Sequence, residues 1–159
     1  MDDLTGFYKR RYFEQRVEEE MKRASRDETS FSIILVDIDN FRAINEKHTH
    51  KAGNKVIKGV SQIIRENIRG YDIPARMGGD EFGVVLPEIS RKEVIKVAER
   101  LRHLIEDAVV SFDRKPIKAT GSLAVAQFNN EVDAAQLIHK AGRLMFDATN
   151  AGGNLVKAA

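Results

Sequence analysis

Apolar residues recur along this chain in two rhythms, and the rhythms alternate. In "TGFYKRRYFEQRVEEEMKRA", residues 5–24, Phe13, Val17 and Met21 stand four apart, one stripe of an opening helix. "FSIILVDID", residues 31–39, is a near-continuous apolar run, the pattern of a strand covered on both faces. That run ends in two acids, Asp37 and Asp39, and a short helix around Phe41 to Glu46 is expected next. From Ala52 to Ile68 the helical spacing returns with Val56, Val60, Ile63, Ile64 and Ile68. Two short strands follow, about Ile73 to Met77 and Glu81 to Leu86, joined by Gly78-Gly79, a composition that predicts a tight hairpin. Pro87 ends the hairpin. Val94, Val97, Ala98, Leu101, Leu104 and Ile105 then mark a strongly amphipathic helix. "IKATGSLAVAQF" reads as a strand, Ala134 to Ala148 as a last helix, and "GGNLVKA" as a turn with a short edge strand. This order predicts an α/β (α+β) sandwich, with a mixed, largely antiparallel sheet of about five strands flanked by helices.

Composition narrows the class. The 159 residues fit one domain with a sizeable core. With 26 basic and 24 acidic residues the net charge is +2, a balanced surface that argues against a nucleic-acid-binding field. The absence of cysteine excludes disulfides and thiolate zinc sites. No apolar run approaches the ~20 residues of a membrane span, so no membrane contact is expected. No secretory signal opens the chain, which makes the cytoplasm the default location.

The candidate chemistry lies in "ARMGGDEFGVV", residues 75–85. A turn accounts for Gly78 and Gly79 but not for Asp80 and Glu81 beside them. Should the end of the first strand lie against this hairpin, Asp37 and Asp80 converge at an open sheet edge. Hard oxygen ligands there suit Mg²⁺, with phosphates and water completing the shell, and bare glycines let phosphate approach the backbone. The plain alternatives are a polar turn at Gly78-Gly79 and a helix cap at Asp37, and periodicity leaves both open.

The ordered set "DDLTGFYKRRYF", "DIDNFRAIN", "IRGYDIPARMGGDEFGVVLP", "AERLR", "TGSLAVA" and "GGNLV" resembles the GGDEF domain family, the diguanylate cyclases, over nearly the whole chain. The resemblance implies a fold like the palm of nucleotidyl cyclases and polymerases, and a single domain spanning 1–159 as the output part of a longer signalling protein with an upstream sensory domain. It implies two domains meeting as a homodimer, each holding one GTP, and condensing them to cyclic di-GMP and pyrophosphate. Asp37, the Ile38 carbonyl and Asp80 would hold Mg²⁺ (or Mn²⁺). Asp80 is the candidate base, Glu81 supports the metal shell, and Arg42 stands where the family has a phosphate-stabilising lysine. Phe41, Asn45, Asn54, Gly78 and Gly79 form the implied substrate-binding set. "RGYD" supplies Arg69 and Asp72, matching an inhibitory product site to which Arg100 of "AERLR" adds a second arginine; a surface ion pair is the alternative. His50 matches a family histidine taken as structural, while His103 and His139 are expected at the surface.

The chain also departs from the family. Asn54 replaces an Asp that accepts guanine N–H groups, Thr149 and Gly153 replace a Lys and an Arg that clamp phosphates, and Gly142 replaces an Asp. Each lost charge-assisted contact is worth about 1.5–3 kcal/mol. The expectation is therefore an intact metal site with a weakened phosphate clamp, hence a slow cyclase. A receptor for cyclic di-GMP or GTP is the alternative.

Overall fold

The computed structural model describes all 159 residues. A two-residue strand β1 (Tyr8–Lys9) leads into α1 (Arg10–Asp27), followed by β2 (Ser32–Ile38), α2 (Phe41–Lys47) and α3 (His50–Glu66). The hairpin strands are β3 (Ile73–Arg76) and β4 (Glu81–Leu86). Then come α4 (Arg91–Asp107), the small strands β5 (Val110–Phe112) and β6 (Lys115–Ile117), β7 (Gly121–Gln127), α5 (Ala134–Asn150) and β8 (Val156–Ala158).

The main sheet has six strands in the order β1-β3-β4-β2-β7-β8, and β5-β6 form a separate two-stranded ribbon. The four inner strands pair antiparallel; the edge strands β1 and β8 pair parallel to β3 and β7. The expected mixed, largely antiparallel sandwich is therefore found, with one more strand than expected. Alternation along β2 explains its unbroken apolar run. Ile34, Val36 and Ile38 face a core built with α3 and α4, while Ile33 and Leu35 face a second core built with α1 and α5. No helix is long and apolar enough to cross a membrane.

Two local expectations are corrected and one element was not expected. The opening helix begins at Arg10, because the chain first adds β1 to the sheet edge. The β5-β6 ribbon carries no alternation long enough to be read. Its turn places Asp113 and Arg114 at φ 51° and 64°, without the glycine that marks such turns. The β3-β4 connection is four residues, Met77 to Asp80, and neither Gly78 nor Gly79 has positive φ. The Met77 and Gly78 N–H groups both donate to the Glu81 carbonyl, at 2.8 and 3.3 Å. The turn does not require these glycines.

Candidate active site

The register of β2 against β4 brings the acids together. Asp37 pairs directly with Glu81 across the ladder, and the Ile38 N–H donates to the Asp80 carbonyl at 3.1 Å. Asp37 and Asp80 thus meet where two adjacent strands end. Partial burial, the nearby Asp80 carboxylate within hydrogen-bonding reach, and Glu81 and Asp39 push the Asp37 carboxyl up to about 7. Burial also raises Glu81, with Arg10 opposing the rise and Asp80 adding to it. Such crowding of like charges is costly unless a cation neutralises it.

No three acidic or histidine side chains gather closely enough to form a complete metal cage. Two convergent carboxylates and a nearby backbone carbonyl are instead an incomplete set of hard oxygen donors. That fits Mg²⁺, which keeps positions for water and phosphate oxygens. The Asp37–Asp80 pair is the observation in favour of the fit, since the Asp80 carboxylate disfavours the anionic form of Asp37.

The loop beside the pair is held open. Arg76 donates from Nη2 to the Gly79 carbonyl at 2.6 Å and from Nη1 to Asp2 at 3.0 Å, which ties the hairpin tip to the amino-terminal turn. A Cβ at Gly78 or Gly79 would meet nothing within 4 Å. With neither φ nor packing demanding glycine, the bare surface itself is what these positions provide. Gly79 lines a cavity of about 400 Å³ together with Phe41, His50, Asn54 and Ile57. A larger groove of about 1060 Å³ lies on the α1–α5 side and reaches Glu81 and Gly142. The hairpin glycines do not line it, whereas Gly79 lines the smaller cavity, which makes the smaller cavity the better nucleotide candidate.

The other expected residues divide. Asn45 packs against Gly53, where a Cβ would collide with its Oδ1, and that oxygen is buried without a partner. Arg42 is 94% exposed and ion-paired with Glu46 at 3.2 Å, so in this structure its charge is directed to solvent. His50 opens α3, exposed and on the cavity wall. His103 and His139 are exposed as expected. Thr149 is exposed near the end of α5. Gly153 has φ +74°, and a Cβ there would lie 2.8 Å from the Asp39 carboxylate. Gly153 is thus a backbone requirement of this chain as well as a missing cation.

Arg69, Asp72 and Arg100 line one depression of about 290 Å³. Arg69 nevertheless spends its fork internally. It donates to Asp72 from its backbone N–H at 2.7 Å and from Nη2 at 2.8 Å, and to the Pro87 carbonyl at 2.7 Å. The Asp72 side chain is 1% exposed, and its carboxylate holds the Arg69 guanidinium above its ordinary value. Arg100 donates to the Asn67 carbonyl at 2.9 Å.

Asp39 is the residue whose role the sequence did not disclose. Its carboxylate accepts from the Thr120 and Ser122 hydroxyls, each at 2.7 Å, and from the Asn154 N–H at 2.8 Å. It fastens β7 and the carboxy-terminal turn to the loop that follows β2. Its spacing of two from Asp37 was visible, but its partners lie more than 80 residues away for the hydroxyls and 115 for the amide.

Known proteins agree with this architecture. Diguanylate cyclase DosC of Escherichia coli (strain K12) is 34% identical over 158 residues, 99% of this chain and 34% of that protein. The chain therefore spans about a third of the length of that relative. Diguanylate cyclase SiaD from Pseudomonas aeruginosa, solved with its activator SiaC, is 27% identical with a TM-score of 0.95, covering 99% of this chain and 61% of that one. The GGDEF domain of DgcB from Caulobacter crescentus, solved in complex with c-di-GMP, shares the fold at a TM-score of 0.95 and 22% identity, covering 99% of this chain and 92% of that one. The profile of the family described as "Diguanylate cyclase, GGDEF domain" matches residues 1–155, nearly end to end, and so the chain belongs to the GGDEF domain family.

Proposed function

We propose that this domain condenses two molecules of GTP into cyclic di-GMP and pyrophosphate, slowly, with one GTP held by each of two copies. The observation that carries the reading is the convergence of Asp37 and Asp80 at adjacent strand ends, with Gly79, the residue before Asp80, lining the smaller cavity. Asp37, Asp80 and the Ile38 carbonyl are the groups that would hold Mg²⁺, with Glu81 supporting. Held by these groups, the cation would supply positive charge against the negative charge developing at the transferred phosphorus. Asp80, at the hairpin tip, is the group we assign to take the proton of an attacking 3′-hydroxyl. Phe41 and Asn54 line the cavity, Asn45 packs against Gly53, and these three are the residues we assign to the base. Asp39 keeps the turn at Gly153 seated against the loop after β2.

Slow turnover follows from the cations. GTP carries roughly four negative charges, of which Mg²⁺ offsets only part. Thr149 and Gly153 bring none, and Arg42 must leave Glu46 to contribute. Losing a preorganised cation at the transition state costs about 10²–10³ in rate. The receptor alternative is less favoured, because the Arg69 fork and the buried Asp72 carboxylate already satisfy each other. A ligand at that site must displace the pair or bind its outer face with Arg100.

Incubating the chain with GTP and Mg²⁺ and assaying cyclic di-GMP tests the reading. Product is expected well below ~1 s⁻¹, a modest enzyme rate. Binding of Mg²⁺ and GTP without product would favour the receptor, and no binding at all would end the nucleotide reading.

A further inference from the structure

Resting on the metal site of that reading, we propose that Arg76 is a positioning residue: its guanidinium fixes the hairpin tip that carries Asp80 and gives the amino-terminal turn a hold on it. Arg76 is the last residue of β3, opposite Phe82 of β4. Its Nε donates to the Gly78 and Gly79 carbonyls, each at 3.2 Å, and its Nη2 donates to the Gly79 carbonyl at 2.6 Å. Its Nη1 donates to Asp2 at 3.0 Å, with the two side chains 18% and 17% exposed. Asp2 is a fixed post. Its other carboxylate oxygen accepts from the Thr5 N–H at 2.9 Å and the Thr5 hydroxyl at 2.7 Å. The Thr5 carbonyl accepts from Arg65 of α3 at 2.6 Å, and Phe7, two residues on, is buried edge-on against Phe82. One guanidinium therefore joins a turn anchored in the core to the two peptides that precede Asp80.

The tip needs such a tie. Gly78 and Gly79 leave the surface bare, but glycine has the greatest backbone freedom of any residue, so an unheld Gly-Gly connection does not keep the following side chain in one place. A Cβ at either position would meet nothing within 4 Å, so packing supplies no restraint. Within the connection, backbone bonds to the Glu81 carbonyl hold Met77 and Gly78. Asp80 is held by its own carbonyl, which accepts from the Ile38 N–H, and by Arg76 through the Gly79 carbonyl. With the first bond alone, the Gly79–Asp80 peptide can rotate, and the direction of the Asp80 side chain changes with it. Mg²⁺ tolerates little departure from octahedral geometry, so a carboxylate ligand must be delivered in one orientation. Arg76 serves by direction and not by charge. Its charge is matched by Asp2, and a cation close to the acids opposes metal binding.

Titration of the chain with Mn²⁺ alone, followed by loss of the free-ion electron paramagnetic resonance signal, separates direction from charge. Coulomb's law by itself predicts that Arg76→Met, which keeps the apolar stem and removes a cation, tightens Mn²⁺ binding. Positioning predicts the opposite, a weakening of at least about tenfold, the usual cost of losing a group that orients a metal ligand. A smaller loss, or a gain, would overturn the inference and leave the metal site standing. So would weaker GTP binding with Mn²⁺ affinity unchanged, the mark of a direct contact to phosphate. Asp2→Asn is expected to weaken Mn²⁺ binding in the wild-type background and to add nothing to Arg76→Met, because it acts through the guanidinium. An Asp2→Asn effect that is absent from the wild-type background, or that persists beside Arg76→Met, overturns the hold assigned to the amino-terminal turn. Should thermal unfolding show that Arg76→Met does not fold, Arg76→Lys decides. It keeps the charge but not the fork, so weaker Mn²⁺ binding is expected and equal binding overturns the inference. No Mn²⁺ binding to the wild-type chain would remove the metal reading itself, and the inference with it.

Discussion

The two ends of the β3-β4 hairpin treat charge in opposite ways. At the Asp37–Asp80 end, acids crowd one another, and the Asp37 carboxyl is driven up to about 7. Past the other end of the strands, Arg69 and Asp72 are of opposite sign and share several hydrogen bonds, which leave the Asp72 carboxylate buried while Arg69 stays partly exposed. Asp39, two residues from Asp37, belongs with the satisfied group, since it accepts three hydrogen bonds from distant parts of the chain. Folding alone therefore explains Arg69, Asp72 and Asp39. It does not explain Asp37 and Asp80, whose arrangement costs stability unless something cationic arrives.

The largest effect is expected on the satisfied side. Arg69→Ala leaves the Asp72 carboxylate buried and short of its main partner, which should cost about 3 kcal/mol in urea unfolding. The double change with Asp72→Ala should be less damaging than Arg69→Ala alone, because the stranded charge goes with it. Loss of cyclic di-GMP binding in Arg69→Ala must accordingly be judged beside Arg100→Ala, whose guanidinium is exposed and makes one bond to a carbonyl.

Gly153→Ala comes next. It combines left-handed backbone with a Cβ pressed against Asp39, and about 1–2 kcal/mol of lost stability should follow. Adding an arginine there to rebuild a phosphate clamp therefore confounds charge with strain. Thr149→Lys, at an exposed position, is the cleaner change and should raise GTP affinity.

A third change works in the opposite direction. The folded-state carboxyl of Asp37 is raised from 3.8 to about 7, first by burial and then by Asp80, so between those values the fold holds a proton that the unfolded chain has released. Metal-free stability must fall as pH rises from about 4 to 7, and the loss is complete above 7. Asp80→Asn removes one of the causes and should stabilise the metal-free protein by about 1 kcal/mol at pH 7.5, with no gain at pH 4. Thermal unfolding at the two pH values checks both signs. Smallest in stability is Gly79→Ala, expected to stay within about 0.5 kcal/mol because open space receives the methyl group. Its effect should appear in weaker GTP binding.

Much of this was legible in the chain. The unbroken run of β2 disclosed a strand covered on both faces, and helical spacing disclosed α3, α4 and α5. The convergence of Asp37 with Asp80 followed from a strand end and a hairpin tip, which register then joined. Less was readable where meaning depended on partners far along the sequence. Asp39 looked like any polar residue after a strand, β1 is too short to show a period, and the αL turn of β5-β6 lacks glycine. Gly78 and Gly79 were read as turn residues, whereas their φ angles and the empty space around them assign them another purpose. The Arg69–Asp72 spacing was visible, but not that the pair closes on itself.

The claim that the unsatisfied acids form a cation-dependent nucleotide site is tested most directly by calorimetric titration of GTP, with and without Mg²⁺, into the wild-type chain and Asp80→Ala. The account predicts Mg²⁺-dependent binding in the wild type and its loss in Asp80→Ala, whose fold should remain intact. Equal GTP affinity in the two proteins would contradict it.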